Sequence, residues 1–128
     1  MTFTGGGGED ADRVEALMRV GDFPGAAALA RELLAAGARS SPLLRAYAEA
    51  LWGCGRFDEA LRTAGLAAGL RPADPSAGLV RAQLLLASGR PAAARAAARN
   101  LRRQWPSNSA AILTGCLKRY RQIGRAHV

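Results

Sequence analysis

The stretch from Leu44 to Pro72 reads LRAYAEALWGCGRFDEALRTAGLAAGLRP. Its apolar residues fall at helical spacing on both sides of Gly55–Arg56, which predicts two amphipathic helices folded back on each other. Leu44, Tyr47, Ala48 and Leu51 make one stripe on the first helix. Leu61, Ala64, Ala67 and Ala68 give the second helix a narrow packing face of small residues. Gly53–Cys54–Gly55 permits the tight turn between them, because glycine adopts positive φ without a steric cost. Asp58 and Glu59 fall in the first turn of the second helix, where negative charge suits the helix dipole. Pro72 closes the unit.

Outward from this stretch the same plan recurs. Gly21, Gly55 and Gly89 lie 34 residues apart, and so do Pro72 and Pro106. A fixed period of this length, built as helix–turn–helix, predicts an all-α solenoid of about three pairs plus one terminal helix. The expected units are 9–39, 40–73 and 74–107, with a partial unit over 108–122, so that the repeat domain spans 9–122. Residues 1–8 hold four glycines and are expected to form a flexible leader. Ser41–Pro42 and Asp74–Pro75 each read as a capping residue followed by proline at the first helical position. Pro24 and Pro91 similarly open second helices, and Gly37 reads as a C-terminal cap. Gly65, Gly69 and Gly78 are weak points inside helices.

Composition narrows the class. Apolar content of 49% with only 5% aromatics suits helices packed through alanine and leucine. No apolar run is long enough for a membrane helix, and the N-terminus lacks the pattern of a secretory signal. A cytoplasmic location is expected. Cys54 and Cys116 are far apart, with no partner at metal-ligand spacing, and are expected to be buried free thiols. Charge is uneven: up to Asp74 there are eight Arg against ten acids, and beyond it nine Arg, one Lys and no acid. Arg95, Arg99, Arg102 and Arg103 form a basic face with Arg90 nearby. With aromatics missing from that stripe, it reads as a solvated face rather than a nucleic-acid surface.

The second unit resembles the tetratricopeptide repeat family. Leu44, Tyr47 with Ala48, and Leu51 take the places of the family's first-helix residues; Gly55 takes the helix-turn glycine, Ala60 and Ala67 the second-helix alanines, and Pro72 the closing proline. Ala38 replaces that proline in the first unit, and Gly78 replaces a large residue in the third. In such arrays the first helix of each pair lines a concave groove that holds a peptide or partner helix. That resemblance implies a groove presenting Asp12, Glu15 and Arg19, then Arg45, Glu49 and Trp52, then Leu79, Gln83 and Leu86. Trp52 is its candidate anchor, since indoles are enriched among interface hot spots; the alternative is that it packs under the next helix pair, as Leu79 and Leu86 would under a fourth. The subclass that clamps chaperone tails uses a Lys and Asn constellation, which the groove positions here lack. The layout also resembles bacterial sulfotransferases and glycosyltransferases that carry repeats ahead of a catalytic domain, which gives the alternative of an N-terminal arm of a truncated enzyme. The final Ile-Gly-Arg-Ala-His-Val, residues 123–128, resembles the translation of a sequencing adapter, so a non-native tail on a fragment is expected.

For this chain itself, chemistry is not expected. The single histidine, His127, lies in that tail, and no carboxylate follows Asp74. Asp58–Glu59 is explained by the helix start, Gly5 to Gly8 lacks the lysine of a phosphate loop, and zinc-ligand spacing is missing. No cofactor, metal or small-molecule substrate is expected. The expected partner is a protein or peptide.

Overall fold

The computed structural model describes residues 6–70 and 75–104. Within them the chain forms six helices and no strand: α1 (Gly6–Arg19), α2 (Phe23–Ala35), α3 (Ser41–Gly53), α4 (Phe57–Leu70), α5 (Pro75–Ala87) and α6 (Pro91–Gln104). They pair as α1/α2, α3/α4 and α5/α6, an all-α helical-repeat solenoid. Pro72, Asp74, Cys116, the partial unit 108–122 and the tail 123–128 lie outside the described residues.

The three turns within pairs are copies of one another. Gly21, Gly55 and Gly89 have φ of 84°, 82° and 80°. Each glycine N–H donates to the carbonyl three residues back (Met18, Trp52, Leu86), and the following N–H donates to Leu17, Leu51 or Leu85. This crossed pair of bonds satisfies the last carbonyls of the first helix and needs a left-handed residue at its centre. The next helix starts at once: Asp22, Arg56 and Arg90 accept through their carbonyls from Ala26, Ala60 and Ala94. A 34-residue glycine period thus becomes a repeated geometric hinge.

Packing follows neighbours. Each first helix lies against both helices of the preceding pair: α3 against α1 and α2, α5 against α3 and α4. This makes α3 the one described helix enclosed by four others. Its core residues Leu43, Ala46, Ala48, Ala50 and Leu51 are fully buried, together with Ala26 and Ala30 of α2 and Ala60 and Ala64 of α4. So many alanines bring helix axes close, and burial of the interleaved leucines supplies the driving force. Among the signature residues, Leu44 and Ala67 are also buried, and Tyr47 is half-buried.

Local chemistry corrects two expectations. Ser40, not Ser41, caps α3: its Oγ accepts from the Leu43 N–H at 3.2 Å. Ser41 instead starts the helix, is buried, and donates to the Ala67 carbonyl at 3.0 Å, tying α3 to the end of α4. α1 begins at Gly6, with Glu9 in its first turn placing negative charge at the positive end of the helix. Cys54 is half-buried at the C-cap of α3 rather than fully enclosed. Two glycines have packing reasons that spacing did not reveal. A Cβ on Gly53 would run into the Phe23 ring, and one on Gly78 would come within 2.8 Å of Leu101.

Candidate partner-binding surfaces

The residues expected along one groove divide into two sets. Asp12, Arg19 and Leu86 are exposed, while Glu15, Arg45 and Gln83 are half-buried. Glu49, Trp52 and Leu79 are buried, Glu49 completely and Trp52 at 5% exposure, so they are not part of an open face in this structure. The reason is the enclosure of α3. With alanine at the helix contacts, α1 and α5 approach it closely, and large side chains at its groove positions fall between them. Trp52 joins the main apolar cluster with Val14, Phe23 and Leu84. An indole in that position is a packing residue.

Apart from Leu86, the large side chains exposed on α1, α3 and α5 are polar among the described residues. Arg45 Nη2 lies 3.6 Å from Glu15 Oε2, an ion pair that bridges neighbouring units. Glu15, Glu49 and Gln83 occupy equivalent places in successive units, 34 residues apart. Of the basic face, Arg95, Arg99, Arg102 and Arg103 are exposed on α6, and none forms a salt bridge among the described residues. Arg90 is held 3.6 Å from Asp58, a link between the second and third turns.

A second surface lies on the other helices. α2 and α4 both pack on α3 but scarcely touch each other, and the space between them is a cavity of about 480 Å³. Its lining includes Leu34 of α2, Leu44 and Tyr47 of α3, and Thr63, Leu66 and Leu70 of α4. The Thr63 hydroxyl is turned inward, donating to the Glu59 carbonyl at 2.8 Å. Arg39 also lines the cavity, its Nη1 donating to the carbonyls of Leu34 and Ala38, each at 2.8 Å. The neighbouring Tyr47 holds the Arg31 guanidinium above its ordinary pKa. Sequence reasoning missed this surface. The available signal was Leu66 and Leu70 one helical turn apart, interleaved with Gly65 and Gly69.

The described residues contain no group of three His, Cys, Asp or Glu side chains placed to hold a metal ion. They also contain no helix long and apolar enough to cross a membrane. The Cys54 thiol is pushed up from its ordinary pKa by burial, against the opposing pull of Arg56 and Arg31. It is therefore held in its protonated, less nucleophilic form.

Repeated helix pairs, identical glycine turns and packing between neighbours define an α-solenoid repeat protein. Two tetratricopeptide repeat models match, over residues 17–84 and 79–115. The chain belongs to the tetratricopeptide repeat family. No curated protein and no solved structure matches it. Repeats of this family generally mediate protein–protein interaction and are generally non-catalytic scaffolds.

Proposed function

We propose that the protein is an interaction module that holds a peptide or helix of a partner protein on the face formed by α1, α3 and α5. The observation that carries this reading is the side-by-side packing of these first helices, with the Glu15–Arg45 pair spanning two of them. Half-exposed Gln83 and exposed Arg19 and Leu86 extend the face along the array. Polar Arg19, Arg45 and Gln83 beside apolar Leu86, on a rigid support, fit recognition of a chain by hydrogen bonds and one apolar contact, with little for the receptor to reorganise on binding. The face is narrower than family resemblance implies, since Glu49, Trp52 and Leu79 are enclosed. Recognition therefore rests on Arg19, Arg45, Gln83 and Leu86.

The test is site-specific photo-crosslinking in cells, with the reactive residue at Arg19 or Gln83 and a control at exposed Ala28 on α2. One protein captured from both Arg19 and Gln83, and not from Ala28, is the expected result. Arg19→Glu should then weaken binding of that purified protein by about tenfold, the loss of ~1.4 kcal/mol, without changing the melting temperature. Capture from Ala28 alone would overturn the assignment.

A further inference from the structure

We propose that the cavity between α2 and α4 is a second recognition surface, and that its occupant is an amphipathic helix of a partner protein with leucine-like side chains on one face and carboxylates flanking them. It lies on the second helices of the pairs, so it stands independently of the face assigned above.

Shape and polarity point to an apolar occupant. Leu66 and Leu70 remain 63% and 52% exposed at the cavity although the neighbouring face of α4 is packed in the core. A trough between two helices suits a third helix, whose ridge of side chains at i, i+3, i+4 and i+7 enters it.

Two glycines of α4 point the same way. Gly65 and Gly69 both line the cavity, yet neither has positive φ and neither has any atom within 4 Å of where a Cβ would stand. Neither turn geometry nor internal packing requires glycine there, and glycine weakens a helix interior relative to alanine. What the missing side chains do is keep the trough open. The protein gives up helix stability at the two positions where an added carbon would obstruct an incoming side chain.

Charge selects the flanks. Arg39 lines the cavity, and it has no carboxylate within salt-bridge distance among the described residues. Among the described residues, no carboxylate lines the cavity. Arg39 is already fixed by its two backbone bonds, so a partner carboxylate meets an oriented guanidinium. A second copy of this chain is a poor occupant, because each copy carries a formal charge of +8.

The experiment uses the whole chain and two synthetic peptides of about 18 residues, roughly five helical turns. Both carry leucine at helical spacing; one has glutamate on its flanks and the other lysine at the same positions. Binding is followed by NMR shifts of leucine methyl groups and by fluorescence anisotropy. The expected result is perturbation centred on Leu66, Leu70 and Leu34, with the glutamate peptide binding at least about tenfold tighter. Arg39→Gln should erase most of that preference. Gly65→Leu combined with Gly69→Leu should raise the melting temperature and abolish binding, which separates a blocked trough from a misfolded protein. Equal affinity for the two peptides, perturbation centred elsewhere, or undiminished binding to the double leucine variant would overturn the proposal. Saturation of the same methyl groups by an uncharged alkyl glucoside at comparable concentration would overturn it in favour of a lipid-like ligand. The Leu86 methyl signals report on the other face separately.

Discussion

Trp52 shows how burial changes the meaning of a residue. Its indole sits in the main apolar cluster at 5% exposure, so its truncation removes packing rather than a partner contact. Trp52→Ala should cost ~3–5 kcal/mol, read as a loss of helicity and a large fall in melting temperature by circular dichroism. Retained helicity with a weakened partner interaction would return the residue to the binding face. Gly53 is a second such case. The Phe23 ring occupies the place of its missing side chain, so Gly53→Ala should cost ~1–3 kcal/mol through overpacking despite alanine's better helix propensity. Thermal denaturation of the single variant tests the sign. Neither effect could be read from spacing alone. The stripe Leu44–Ala48–Leu51 was visible because it repeats at the helical period, whereas the partners of Trp52 and Gly53 come from elements distant in sequence.

At the scale of the element, the helix starts are where sequence and structure part by one residue. Ser40 and Ser41 are chemically the same, but Ser40 accepts from the Leu43 N–H while Ser41 donates to Ala67. Ser40→Ala should therefore lower stability by ~1 kcal/mol through loss of a cap. Ser41→Ala leaves the buried Ala67 carbonyl without this donor and should cost ~1–3 kcal/mol. Parallel chemical denaturation of the two variants tests this order; a larger loss at Ser40 would contradict it. The turns, by contrast, were legible from glycine spacing because the left-handed residue of this capping motif is difficult to replace. The groove between α2 and α4 was not legible. It arises because two second helices pack on α3 without packing on each other, a relation between units that no single unit contains.

The whole molecule is electrically lopsided. On α6, Arg99 stands three or four residues from each of Arg95, Arg102 and Arg103, and none of the four forms a salt bridge among the described residues. Like charges at those spacings destabilise a helix by ~0.2–0.5 kcal/mol per pair, and salt screens them. The melting temperature should therefore rise as sodium chloride increases from low to near-physiological concentration. A fall would mean that the Arg90–Asp58 and Arg45–Glu15 pairs outweigh the repulsion. Fold class and unit length were written in the repeat period because every pair solves the same packing problem. The openness of the face was not, because it depends on how close alanine lets neighbouring helices come.

Packing between neighbours alone also has a mechanical meaning. α1 and α2 make no substantial contact with α5 or α6, so no clasp joins the first described pair to the last. Tension along the chain would meet one interface at a time, and each 34-residue unit that peels away would release about 110–120 Å of chain. Such an array yields in steps, like a zip, and a partner seated across two units would raise the force needed to part them.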